Sequence, residues 1–383
     1  MAREKIGVGI IGAGRIADMV HVPSLRLCPD WCEVIAVASR TEEKAKAFAE
    51  RWGIARVHAD WGSLLVDPDV DAVVVCPPSG LTYEVAKATI AAGKHILCEK
   101  PLALNYQQAR ELQEKAERAP ITHMVAFTFR FVPALRYLKR LVSEGHFGEI
   151  RHWRLSYFTD FMLDPAAPIA WRNQRANAGA GILADMGSHA IDFSRYLLGD
   201  IAAVSGVNRL YVRERPSPAG YPLGGRGSGM EPVDAEDAYA FAVEFASGTI
   251  GTFDLNRAVA GRGGSGRGNY QCIEVHGTNG AAIYELIRPF ELQISIGPAM
   301  TRTQQWARAE VPFDLRKYPG SPRNPLTDDP LLGYKFDQGV AFLRAVRGET
   351  QDYPTFRDGA ETQRVIDIVE VAARERRWID LRT

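Results

Sequence analysis

Near the start of the chain, Ile6-Gly7-Val8-Gly9-Ile10-Ile11 runs without a polar side chain and stops at Gly12-Ala13-Gly14-Arg15-Ile16-Ala17. A strand with no polar position is covered on both faces, which is the condition of a parallel sheet with crossover helices above and below it. The turn that follows has the form G-x-G-x-x-A. Its first glycine permits a backbone conformation that a Cβ resists. Its second lets a phosphate approach the main chain, and the small third residue lets the next helix pack close to the strand. The N–H groups and positive end of that helix then face an anion. Gly12, Gly14, Arg15 and Ile16 are therefore candidate contacts to the pyrophosphate of a dinucleotide. Any tight strand-to-helix turn also needs glycine, so the turn alone leaves plain geometry open as the alternative.

The following segments extend the alternation. Val34–Ala38 reads as a second strand, and Thr41 as the N-cap of a helix with Glu42 and Glu43 in its first turn. The end of the second strand is where an Asp or Glu would bind the ribose of NAD, and Ser39-Arg40 stands there instead. A guanidinium stacks on adenine and pairs with a 2′-phosphate. Ser39 and Arg40 thus favour NADP over NAD, against the alternative that Arg40 is a solvated turn residue beside two glutamates. Val70–Val75, a helix over Tyr83–Ala92, His95–Cys98, a helix capped near Asn105 and a strand around Met124–Phe127 continue a doubly wound parallel sheet. Ligands of such sheets lie beyond the strand C-termini. That rule singles out Gly12–Ala17, Cys76-Pro77-Pro78-Ser79 with Pro77 and Pro78 as cofactor contacts, and Glu99-Lys100-Pro101.

A chain of 383 residues has room for two domains. Its 46 Lys and Arg balance 46 Asp and Glu, which argues against nucleic acid as a partner. No apolar stretch reaches the roughly 18 residues of a membrane span, and no separate leader precedes the first strand, so a cytoplasmic location is expected. Cys28, Cys32, Cys76, Cys98 and Cys272 contain no C-x-x-C pair, against a disulfide framework or a zinc ribbon.

Ala92-Gly93-Lys94-His95-Ile96-Leu97-Cys98-Glu99-Lys100-Pro101-Leu102-Ala103 closely resembles the A-G-K-H-V-x-x-E-K-P-x-A segment of the Gfo/Idh/MocA oxidoreductase family, which includes glucose-fructose oxidoreductase and inositol dehydrogenase. Downstream, Trp171-Arg172, the small-residue run Ala178–Gly181, Asp185-x-Gly187-x-His189-x-x-Asp192 and Leu197-x-Gly199 follow in the order and spacing of that family. The resemblance implies an α/β protein: an NAD(P)-binding Rossmann domain over residues 1–127, then an α/β domain over 128–383 with a large, mostly antiparallel open sheet that binds substrate and forms oligomers. Seven short strand patterns between Glu149 and Ile296 and two helices, Tyr334–Arg347 and Ala360–Arg376, agree with it. Thr82, Ser79, Ala178 and Ala180 depart from the residues common in the family at those places.

Oxidising a secondary alcohol needs a hydride acceptor, a base for the hydroxyl proton and a group that stabilises the developing alkoxide. Asp185 and His189, four apart, would share one face of a helix, and an imidazole ordinarily titrates near neutral pH. By resemblance, Lys100, Asp185 and His189 correspond to the family's catalytic set: His189 as acid/base, Lys100 as hydrogen-bond donor, Asp185 as the residue that positions His189. Glu99 is expected on the nicotinamide ribose, and a cis bond at Pro101 would fix the Lys100 backbone. Arg172, with Lys100, Asp185 and His189, is expected to bind substrate. Arg130-Phe131, Tyr157 and Trp171 are weaker candidates for the cleft, Asp192 is either substrate-contacting or structural, and His21 reads as structural. No metal site is expected.

These features describe an NAD(P)-dependent oxidoreductase that interconverts a hydroxyl and a carbonyl on a sugar, cyclic polyol or related small molecule. The resemblance also leaves open a glycosidase that oxidises its substrate transiently, and a regulator that binds nucleotide without chemistry. A homodimer or homotetramer through the second-domain sheet is expected, because too few helices are available to cover both of its faces. Pro216–Pro232 and Ala260–Asn269 are long Gly/Pro-rich loops, solvated near the cleft or at a subunit contact. Pro312–Asp329 is a third loop, expected to reach a neighbouring subunit or cap the site.

Overall fold

The N-terminal apolar run is strand β1 (Ile6–Ile11), and it lies in the middle of a six-stranded sheet. The sheet continues with β2 (Cys32–Ala38), β3 (Arg56–His58), β4 (Ala72–Val75), β5 (His95–Cys98) and β6 (His123–Val125). The strand order is β3-β2-β1-β4-β5-β6, and every pairing is parallel. A computed structural model describes residues 5–217, 229–261, 269–297 and 305–382. They divide into two units, one formed by residues up to Phe131 with Lys317–Gln363, the other by Val132–Arg316 with the residues from Arg364 onward.

In the first unit the sheet is buried on both faces, as the apolar strands require. On one side Val8, Ile10, Val37 and Val74 pack with Val340, Ala341, Phe342 and Leu343 of the helix Gly333–Val346. On the other side Ile11, Val73, Val75 and Ile96 meet Val85 and Ala86 of the helix Ser79–Ala91, Leu112 of the helix Tyr106–Arg118, and Phe356. Local signals start two of the helices. Thr41 Oγ1 accepts from Lys44 N, and Asn105 Oδ1 accepts from Gln108 N at 3.0 Å. The short strand β3 carries no fully buried residue, and the sequence pattern did not mark it.

The second unit is built on nine strands: β7 (Ile150–Phe158), β8 (Ile201–Arg209), β11 (Ala238–Phe245), β12 (Ile250–Asn256), β13 (Tyr270–Gly277), β14 (Gly280–Glu285), β15 (Glu291–Ile296), β16 (Ala307–Glu310) and β17 (Ile379–Asp380). A separate two-stranded ribbon is formed by β9 (Glu214–Pro216) and β10 (Met230–Pro232). The large sheet has the order β16-β15-β14-β13-β7-β12-β11-β8-β17 and is antiparallel except where β12 joins β7. Its strands alternate as a half-covered sheet should. Trp153, Leu155, Val243, Phe253 and Val275 are buried, while Arg154, Thr252, Ala242 and Glu274, one residue along on the paired strands, are half-buried or exposed.

The units are discontinuous in sequence, where the sequence reading expects one boundary at 127/128. The helix Phe356–Glu375 contributes its residues to Gln363 to the first unit and the rest to the second. Of the Gly/Pro-rich loops, 218–228 and 262–268 lie outside the described residues. Of the third loop, the part from Lys317 onward packs within the first unit, with Tyr318 N donating to Asp337 Oδ2 at 3.0 Å and Arg323 bonded to the fully buried Asp337 at 2.9 Å. No described helix is long and apolar enough to cross a membrane.

Phe241 and Phe253 stack at 4.5 Å across β11 and β12 on the covered face. Phe253→Ala should therefore lower the unfolding free energy by about 3–5 kcal/mol, measured by urea denaturation.

Candidate functional site

In the first unit every singled-out segment sits at the C-terminal end of a parallel strand. Gly12 follows β1 with φ of +107°, and a Cβ there would lie 2.6 Å from the carbonyl oxygen of Cys76. Its N–H donates to Ala38 O at 2.9 Å, so the turn is fitted between the ends of β2 and β4. Gly14 is the opposite case, with no atom within 4 Å of where its Cβ would be. The first glycine answers to protein backbone and the second leaves open room for a ligand, which is the division of roles a pyrophosphate needs. Ala17, the small third residue, is buried at the start of a π-helical turn, Ala17–His21, that runs on into the helix Val22–Arg26. Pro23 stands in the first turn of that helix, where its missing N–H costs nothing.

Arg15 and Ile16 are exposed beside the turn, and Arg15 Nε donates to Met19 Sδ. Arg40 is exposed and Ser39 half-buried after β2, while Glu42 is engaged by Lys46 at 2.7 Å. Pro77 and Pro78 lead from β4 into the helix Ser79–Ala91, in which Ser79 and Thr82 are buried. Beyond β5 the Lys100–Pro101 bond is cis, as expected. Glu99 Oε2 accepts from Lys100 N at 3.2 Å, and Glu99 Oε1 lies 2.9 Å from Nε2 of the buried His21. His21, read from the sequence as structural, thus grips the carboxylate next to Lys100. Its Nδ1 is buried with no partner among the described residues. Arg130 and Phe131 serve the packing of the first unit, Arg130 paired with Asp358 at 2.7 Å and Phe131 edge-on to Tyr318.

In the second unit Asp185 lies in another π-helical turn, Leu183–Gly187, and His189 begins the second residue of the helix Ser188–Leu198. The turn that carries Asp185 is thus π-helical where an ordinary α-helix is expected. Such turns recur where a helix must re-aim side chains at a site. Gly187 is fixed by crowding, because a Cβ would come within 2.9 Å of Leu183 and Leu255 side-chain carbons. Gly181, at φ of +55°, lies against the Glu236 backbone. Arg172 Nε donates to Asp185 Oδ2 at 3.1 Å, and its guanidinium covers the Trp171 ring at 4.2 Å. His189 and Asp192 are buried. Burial, and next to it the negative field of Asp185, pushes the Tyr157 hydroxyl pKa up, and Asn269 donates to Tyr157 Oη at 2.7 Å.

Sequence reasoning missed Arg257. It is fully buried at the end of β12, paired with Asp237 at 2.9 Å, and donates to Arg172 O and Ala235 O. It holds the backbone of the residue that grips Asp185. Its sequence signal is only an arginine closing a strand of alternating apolar and polar residues. Among the described residues no group of His, Cys, Asp and Glu is arranged to hold a metal. All five cysteines carry free thiols.

A model of an oxidoreductase family with an NAD-binding Rossmann fold matches residues 6–127, and a Gfo/Idh/MocA C-terminal domain model matches 135–283. The chain belongs to the Gfo/Idh/MocA oxidoreductase family. It is 32% identical to levoglucosan dehydrogenase of Pseudarthrobacter phenanthrenivorans, over 99% of this chain and 98% of that one. It is 31% identical to a scyllo-inositol 2-dehydrogenase (NADP(+)) of Bacillus subtilis, over 57% of this chain and 58% of that one. The structure superposes with a TM-score of 0.87 and 29% identity on levoglucosan dehydrogenase in complex with NADH and levoglucosan, covering 99% of this chain and 100% of that one. The Gfo/Idh/MocA assignment agrees with the parallel sheet of the first unit and the mixed, mostly antiparallel sheet of the second.

Removing one side of the buried pair beneath Arg172 leaves the other charge without compensation. Asp237→Ala should destabilise the protein by roughly 3–5 kcal/mol, read from chemical denaturation.

Proposed function

We propose that the protein is an NAD(P)-dependent dehydrogenase that oxidises a secondary hydroxyl on the ring of a sugar of the pyranose or anhydro-sugar type. The observation that carries this is the cluster in the second unit: a buried His189 one turn from Asp185, with Arg172 fastened to that carboxylate. The similarity to levoglucosan dehydrogenase, which runs the full length of both chains, supports the substrate class.

Gly12, Gly14, Arg15 and Ile16, with Pro77, Pro78 and Glu99, would hold the dinucleotide. The open space at Gly14 and the carboxylate of Glu99, fixed by His21, fit a pyrophosphate and a ribose. When bound, the nicotinamide accepts the hydride from the substrate carbon. His189 takes the hydroxyl proton, so that a C–H and an O–H bond are lost and a carbonyl is formed. Lys100 donates to the substrate oxygen as negative charge grows on it. Asp185 holds the imidazole in place, and Arg172 holds Asp185. Arg172 also offers the substrate hydroxyls its remaining donors.

Turnover is best followed by the ultraviolet absorbance of reduced nicotinamide with levoglucosan, hexopyranosides and inositols, each with NAD+ and NADP+. His189→Ala and Lys100→Ala should each lower kcat by at least about 100-fold with folding intact. Glycoside cleavage without net cofactor reduction would instead support the transient-oxidation reading. Arg40 supports a preference for NADP, since no carboxylate of β2 stands at the ribose position. Arg40→Ala should then lower kcat/KM for NADP+ by roughly tenfold or more while leaving NAD+ nearly unchanged. The half-covered sheet of the second unit supports a homodimer or homotetramer, which light scattering would detect.

A further inference from the structure

His21 is 1% exposed, yet only one of its ring nitrogens is satisfied. Nε2 lies 2.9 Å from Glu99 Oε1, while Nδ1 is buried with no partner among the described residues. A buried polar atom left bare lowers stability, so a histidine that merely filled the core would be poorly suited to this place. The fold nevertheless fixes the ring firmly. The π-helical turn Ala17–His21 carries it away from the glycine turn, closed by Val22 N donating to Ala17 O. Farther along, Ser24 Oγ donates to Phe336 O at 2.5 Å, and a Cβ on Gly339 would collide with the same Ser24 oxygen. The helix Gly333–Val346 thus holds down the segment that begins at His21. The carboxylate that the ring meets is also fixed from a second side, because Glu99 Oε2 accepts from Lys100 N at 3.2 Å.

We propose that His21 is a positioning residue for the cofactor: by donating to Glu99 it turns the free acceptor positions of that carboxylate toward the two hydroxyls of the nicotinamide ribose. The proposal rests on the reading of the first unit as a dinucleotide site and goes beyond it, because it gives a specific task to a residue that does not itself touch the ligand. A carboxylate only accepts, so Nε2 carries the proton in this pair. Each Glu99 oxygen then has one fixed donor, and of the roughly four acceptor positions of a carboxylate about two remain. The Glu99 side chain is 15% exposed and follows β5, at the end of the sheet where ligands of this architecture lie. A ribose diol supplies two O–H donors to match. Without the imidazole, the carboxylate keeps only the main-chain donor and loses its fixed orientation.

The test is titration calorimetry of NADH, ADP-ribose and ADP with the full-length protein, for wild type, His21→Leu, His21→Gln, Glu99→Ala and the His21→Leu/Glu99→Ala double variant. ADP carries the adenosine and the pyrophosphate but lacks the nicotinamide ribose. His21→Leu should weaken NADH and ADP-ribose by about tenfold or more and leave ADP as in wild type. His21→Gln, which keeps an N–H donor, should recover most of the loss. The double variant should bind NADH no more weakly than Glu99→Ala, since His21 acts only through that carboxylate. Wild-type NADH affinity in His21→Leu overturns the proposal, as does a double variant whose loss is the product of the two single losses. Loss of ADP binding in step with NADH, or failure of His21→Leu to fold, also overturns it, in favour of a structural histidine. Failure of the wild type to bind NADH and ADP alike removes the cofactor reading itself, an outcome distinct from these.

Discussion

A parallel sheet without polar positions has to be roofed on both faces, and most of the first unit follows from that requirement. Val8, Ile10, Val37 and Val74 on one side and Ile11, Val73, Val75 and Ile96 on the other leave no face of the central strands for water. The segments between the strands roof only part of this area. The chain returns with Gly333–Val346 to close one face, and Phe356 and Ala360 of the last long helix close part of the other. Burial of these apolar side chains is worth about 1.5–3 kcal/mol each, which more than offsets the separation in sequence. The return also sets Phe336 on Ser24, so one hydrophobic demand ties a late helix to the segment that follows the glycine turn.

The second unit rests on an ionic support of a different kind. The buried pair of Arg257 and Asp237 forms a fixed post, and Arg257 uses its other donors to hold the carbonyls of Arg172 and Ala235. Arg172 then reaches Asp185, with Trp171 stacked beneath the guanidinium. A buried ion pair is a poor source of stability when measured against an apolar replacement, but it specifies geometry. Here it fixes a guanidinium and a carboxylate one turn before His189. The π-helical turns at Ala17–His21 and Leu183–Gly187 belong to the same pattern. Each breaks regular helix where His21 and Asp185 have to meet a partner, Glu99 in one case and Arg172 in the other.

Much of this was legible in residue order. The turn at Gly12, the run of parallel strands, the Glu99-Lys100-Pro101 segment and the spacing of Asp185, Gly187 and His189 all carry local signals, because each depends on contacts within a few residues or on the period of one element. Strand β3 left no such signal, since its three residues are only half-buried. Arg257 left only its place at the close of a strand. A charged residue at the end of a strand reads as a surface group until its partners are known, and those partners lie far away in sequence.

The sequence by itself determined that an all-apolar strand leads into a glycine turn, that the first sheet is parallel and doubly covered, and which short segments stand at the C-terminal ends of its strands. Those features are set by local sterics and hydrophobic period, which any window of the chain expresses. Only the tertiary structure decided that residues 317–363 belong with the first sheet, that His21 grips Glu99, and that Arg257 stands beneath Arg172. These are meetings of distant segments, and the free energy that selects them comes from burying surfaces and charges together, a quantity that no single stretch of sequence contains.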